Sequence, residues 1–228
     1  MSIKKLTIIA VIILSILTTA CSSKTPEEKI QNHLEEAVAL EEGFEKQQSK
    51  ITDLEKQEQK IYNEIIDLGM DDMDQIKKRS EQALETVDKR KDAIEKEQES
   101  IKQAREEFSN IEELINDLED KEVKATAKKM NKIMTQRYDS YGKLNKAYND
   151  ALKLEKKLYE MLPKKDLEQK ILTDQVNKIN ETYSKVIEFN KEFNQNTQEY
   201  NKVKQDFYKQ AGIEVVNKDT DKQPSEEK

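Results

Sequence analysis

Leu172, Ile179, Val186, Phe193, Tyr200 and Phe207 stand seven residues apart, and the same spacing recurs through most of the chain. A seven-residue apolar repeat places one side chain on the same helical stripe every two turns, so it specifies helices that bury a seam against other helices. A first helix is predicted from Pro26. Thr25 serves as its N-cap and Glu28 completes a capping box, and one seam then runs Ala37, Phe44, Ile51, Glu58, Ile65 beside Leu40, Gln47, Leu54, Ile61, Leu68, with Gly69 as its stop. A second follows from about Asp72, its seam Met73, Ser80, Val87, Ile94, Ile101, Phe108, Ile115 supported by Ile76, Ala83, Ala104, Ile111 and Leu118. The register slips by one residue around 117–121, which predicts a turn there although no Gly or Pro marks it. A third helix runs from Val123 through Arg137, Tyr148 and Glu155 to Leu162 and ends at Pro163, and a fourth spans about Asp166–Ala211 before Gly212.

Four amphipathic helices on short connections predict an all-α, antiparallel four-helix up-and-down bundle, with an elongated three-helix or oligomeric coiled coil as the alternative. Only four Gly and three Pro in 228 residues exclude sheet-rich folds, which need many tight turns. One Cys and one His exclude an intramolecular disulfide, a thiolate metal site and most catalytic triads. Neither enzymatic activity nor a cofactor, metal or nucleic-acid partner is expected.

The N-terminus sets the compartment. Lys4 and Lys5 precede a mostly apolar run from Leu6 to Leu17, and Thr18-Thr19-Ala20 leads into Cys21, the one cysteine of the chain. The run is too short to span a bilayer and ends in small residues, as a cleaved export signal does. The pattern is similar to a bacterial lipobox, in which the cysteine takes a diacylglycerol and becomes the mature N-terminus. The expected organisation is a lipoprotein signal peptide at 1–20, a lipidated Cys21 and short tether over 21–25, the bundle at 26–212 and a disordered polar tail at 213–228.

Charge is unevenly spread. The net charge is −7, yet residues 121–165 hold 13 basic and 5 acidic side chains. At about 100° per residue, Lys121, Lys128, Lys132, Lys143, Lys146, Lys153, Lys157 and Lys164 align on the helix face opposite the seam, interrupted by Asp139 and Asp150. A face pointing away from the other helices is poorly placed for neutralising contacts, so it is a candidate surface for an anionic polymer or lipid; a plain solvated face is the competing reading. Tyr141, Tyr148 and Tyr159 fall on the seam side of this helix, with Tyr138 at its flank. His33 has no neighbour in sequence with which to form a ligand set or dyad, and Asp71-Asp72-Met73-Asp74 lacks the spacing of a calcium loop and is read as helix-dipole compensation.

A lipobox ending at Cys21, a four-residue linker and four long Lys/Glu/Gln-rich helices, including the stretch from Arg137-Tyr138 to Tyr159-Glu160-Met161-Leu162-Pro163, together resemble the YkyA-like family of lipoproteins from Gram-positive bacteria. The resemblance covers essentially the whole chain. It implies a left-handed four-helix up-and-down bundle anchored at the outer face of the cytoplasmic membrane and an interaction with the cell wall; it brings no catalytic or binding residues. Taken with the lysine face, this makes an anionic wall polymer or peptidoglycan the expected partner. A scaffold or chaperone-like module binding other exported proteins is the alternative, favoured if Leu152, Leu154 and Ile187 are exposed together. A wall hydrolase would need paired carboxylates in a cleft, which a tightly packed bundle is not expected to offer.

Overall fold

The computed structural model describes residues 24–68 and 72–213. Six helices, α1 (Pro26–Leu40), α2 (Glu42–Leu68), α3 (Met73–Ser109), α4 (Ile111–Asp117), α5 (Lys121–Met161) and α6 (Gln169–Gln210), form four antiparallel rods, with α1–α2 and α3–α4 each making one rod. The predicted signal peptide, Cys21, Gly69, Asp71 and most of the expected tail lie outside the described residues. No helix among the described residues is long and apolar enough to cross a membrane.

The rod ends follow local chemistry. Thr25 Oγ1 accepts from the Glu28 amide at 3.2 Å while the Thr25 amide donates to Glu28 Oε2 at 3.0 Å, closing the capping box. The predicted turn at 117–121 is present: Leu118 and Asp120 are extended, and Asp120 Oδ1 caps α5 by accepting from the amides of Glu122 and Val123 at 2.7 and 3.0 Å. Lys124 Nζ donates to the Asn116 carbonyl at 2.6 Å, satisfying an end of α4 in place of a glycine cap. α5 stops at Met161, two residues before Pro163. Gly212, at φ 66°, ends α6 with the Ile213 amide bonded back to the Tyr208 carbonyl at 2.9 Å. α6 begins at Gln169, not Asp166, because Lys164 and Leu167 close turns first.

Two expected continuous helices are interrupted. In the first rod the Ser100 hydroxyl enters the backbone ladder between α1 and α2: it accepts from the Phe44 amide at 3.0 Å and donates to the Leu40 carbonyl, the partner that amide would otherwise have used. Gly43 makes room for this, since a Cβ there would stand 3.0 Å from Ser100 Oγ. In the second rod Asn110 separates α3 from α4.

The rods pair as two hairpins, α1–α2 with α3–α4 and α5 with α6, joined mainly through α3 against α5. Near the N-terminal end of α1 the centre is filled by apolar and aromatic side chains, with Phe108 edge-on to both Tyr138 and Tyr200 at 6.1 Å. Tyr138 is thus buried, not on the flank, because the α3 side chains cover it. A second apolar cluster, including Ile61, Ile65, Val87 and Tyr159, occupies the other end. Between Ile179 and Phe193 no side chain of α6 is buried, and there the α2–α6 side of the bundle lies open.

Candidate functional site: an acidic cleft and a basic outer face

The opening between α2 and α6 is a cleft of about 680 Å³ floored by α3 and α5. The bundle is therefore not tightly packed throughout, and it does place carboxylates in a cleft. At its centre Arg90 is 1% exposed and reaches every rod. Its Nε donates to Tyr148 Oη at 3.0 Å, its Nη1 to Glu155 Oε2 at 2.8 Å and to Glu58 Oε2, and its Nη2 to Tyr183 Oη at 2.6 Å and Tyr148 Oη at 2.7 Å, with Glu55 Oε1 at 3.4 Å. Burial opposes the charge on Arg90, but the surrounding carboxylates outweigh it and the guanidinium stays charged. Tyr148 and Tyr183 in turn donate to Glu55 and Glu155, each at 2.6 Å. Burial pushes the Glu155 carboxyl up to about 7, with Arg90 pulling the other way and Glu58 adding to the rise.

Glu97, 2% exposed, lies further along the cleft towards α1 and faces the amide of Gln48. Desolvation raises its pKa to about 7, against hydrogen bonds from Tyr141 and Gln48. A second buried arginine sits at the α1–α2 break. Arg137 grips both oxygens of Glu41 at 2.6 and 2.7 Å, donates to Thr197 Oγ1 at 2.8 Å and lies 4.6 Å from the Phe193 ring centre.

These residues carried a signal in the repeat. Glu58, Arg137 and Glu155 occupy seam positions, and Arg90 and Glu97 continue the row Ile76, Ala83 towards Ala104 at intervals of seven. A charged residue in a row of buried positions must find a partner inside the bundle.

Two carboxylates in a cleft invite comparison with a glycoside hydrolase, which divides acid and base roles between them. Here Glu58 and Glu155 converge on the same nitrogen of Arg90, an arrangement that ties helices together. Among the described residues no group of three or more His, Cys, Asp or Glu side chains is placed to hold a metal ion.

On the opposite side of α5, Lys121, Lys128, Lys132, Lys143, Lys146, Lys153 and Lys157 are all exposed; Lys164 is exposed too but lies past the end of α5, in the connection after Pro163, and not on the helix face. Three have acidic partners, contrary to the expectation that the face stands clear of them. α6 brings Glu192 to 3.0 Å from Lys143, and Asp150, one of the two interruptions, takes Lys146 and Lys153 at 2.6 and 3.0 Å. Hydrogen bonds from those two lysines hold the Asp150 carboxyl below its ordinary range. Lys121, Lys128, Lys132, Lys157 and Lys164 have no acidic partner within 4 Å among the described residues.

Other candidates resolve differently. His33 does have a partner, Glu107 of α3, with Nδ1 and Oε1 2.6 Å apart; the pairing spans 74 residues and was invisible locally. Tyr141, Tyr148 and Tyr159 are buried as their seam positions predict. Asp72 caps α3, accepting from the Gln75 amide at 3.2 Å. Leu152 is buried and Leu154 half-buried, leaving Ile187 at 70% exposure as the one open member of the expected apolar trio.

Comparison with known proteins supplies the context. A crystal structure of a conserved protein of unknown function from Staphylococcus aureus matches with a TM-score of 0.70 at 19% identity, covering 82% of this chain and 98% of that one, and shows the same fold. A relative described as "Uncharacterized lipoprotein YkyA", from Bacillus subtilis (strain 168), is 34% identical over 202 residues, 89% of this chain and 91% of the relative. The family model described as "Putative cell-wall binding lipoprotein" matches residues 25–210. With the helices, the matched span and the relative in agreement, the chain belongs to the YkyA family of lipoproteins.

Proposed function

We propose that this is a non-enzymatic lipoprotein, anchored at the outer face of the cytoplasmic membrane by diacylglycerol on Cys21, that holds an anionic cell-wall polymer against the lysine face of α5. The observation that carries this reading is the line of exposed lysines along α5, continued by Lys164 just past its end, five of them without an acidic partner within 4 Å among the described residues, in a chain whose net charge is negative. Lysine ammoniums on a 41-residue helix, about 60 Å long at ~1.5 Å per residue, suit a polymer of repeating phosphate or carboxylate groups. Thr25, the N-cap of α1, stands four residues after Cys21, so the bundle stands close to the lipid surface with the Lys121 end of α5 nearer to it. Membrane-proximal wall polymer is within reach and the outer wall is not.

The test is co-sedimentation of the full-length protein, in nonionic detergent, with purified wall. Binding is expected at low salt and should fall steeply as salt rises. Replacing Lys121, Lys128, Lys132 and Lys157 by Glu should weaken it by about tenfold or more, since each charge lost removes one favourable contact and adds a repulsive one. Binding that ignores both salt and the four substitutions would overturn the reading.

A further inference from the structure

Above about pH 7, where Glu97 and Glu155 have given up their protons, the cleft between α2 and α6 has a charge imbalance that its own residues do not correct. Glu55, Glu58 and Glu155 surround one guanidinium, and Glu97 faces an amide further along. Among the described residues no lysine and no second arginine lines the cleft. All five N–H groups of Arg90 are engaged by protein acceptors, so none is left to receive an incoming anion. Surplus negative charge held away from water is costly, and a cation entering the cleft offsets that cost.

The remaining lining fits such a guest. Tyr62, Tyr148, Tyr159 and Tyr183 contribute aromatic surface of the kind that attracts ammonium groups, and Val186 and Ile187 form an aliphatic lip on α6. The half-exposed Glu55 gives a charged step between the mouth and the buried carboxylates. A volume of about 680 Å³ suits a small organic molecule.

We propose that the α2–α6 cleft is a binding site for a small organic amine, its ammonium group drawn to Glu55, Glu58 and Glu155 and its aliphatic arm lying along the tyrosines and Val186. The site is separate from the lysine face and opposite to it in charge, so it stands whether or not α5 binds polymer.

Equilibrium dialysis of the full-length protein in nonionic detergent tests it with three probes sharing a five-carbon arm: cadaverine, its N,N′-diacetyl derivative and glutarate. At pH 8 cadaverine should bind saturably, one per chain, at least tenfold more tightly than the neutral or the anionic probe. A Glu58→Gln/Glu155→Gln double variant should lose about tenfold or more, whereas Glu112→Gln/Glu113→Gln, two exposed side chains of α4, should not. Val186→Trp, which fills the cleft without touching its charge, should also abolish binding, which keeps the test decisive if the double variant folds poorly. Equal binding of cadaverine and its diacetyl form, or undiminished binding by both cleft variants, overturns the proposal.

Discussion

Glu97 is a carboxyl buried against an amide, and its folded-state pKa of about 7 lies above the ordinary value of 4.5. The folded protein therefore binds this proton more tightly than the unfolded chain does. The stabilisation is complete below pH 4.5 and is lost as pH rises through 7. Thermal or urea unfolding should show stability falling by on the order of 3 kcal/mol between pH 4.5 and 8 from this residue, and Glu97→Gln should flatten that slope; an unchanged slope would place the titration elsewhere. Glu97 also marks the limit of local reading. The row Ile76, Ala83, Arg90, Glu97, Ala104 states that both charged side chains point inward, yet their partners lie on helices whose vertical offset is set by turn lengths. Position was legible, pairing was not.

At the level of elements, rod directions, the 117–121 turn and the Gly212 cap follow from spacing and cap chemistry, all of which act within a few residues. The break between α1 and α2 escaped because its cause, Ser100, lies 60 residues from Leu40. Removing that hydroxyl leaves the Phe44 amide and Leu40 carbonyl to find each other by straightening the rod or to remain without a partner. Ser100→Ala should cost about 1–3 kcal/mol in urea unfolding, and Gly43→Ala, which crowds the same oxygen, should add less than its separate cost when combined with it, since the two act on one contact. The break also bears on the cleft, because the direction in which α2 leaves Glu41 decides how far it stands from α6. Val186, in phase with the buried Ile179 and Phe193 yet only half-buried, is where the repeat predicts cover that the neighbouring rod does not supply.

Across the whole molecule, Arg90 on α3 touches side chains from the other three rods, with Glu58 on α2, Glu155 and Tyr148 on α5 and Tyr183 on α6. A similar apolar repeat on every rod would accept a slip of one heptad, or a partner from another chain, at small cost; a single guanidinium amid matched carboxylates does not. Arg90→Leu should lower stability by about 3–5 kcal/mol in urea unfolding, because it strands the carboxylates. Arg90→Leu/Glu58→Leu/Glu155→Leu should recover most of that loss while broadening the oligomeric distribution seen by size-exclusion chromatography. The same contact has a consequence for time as well as for energy. Arg90 must shed its water before the last hairpin can close, but the compensating bonds form only once all four rods are in register. Closing and opening of the bundle therefore share a desolvation step at this one side chain, and Arg90→Leu/Glu58→Leu/Glu155→Leu, which removes it, should change the rates of both.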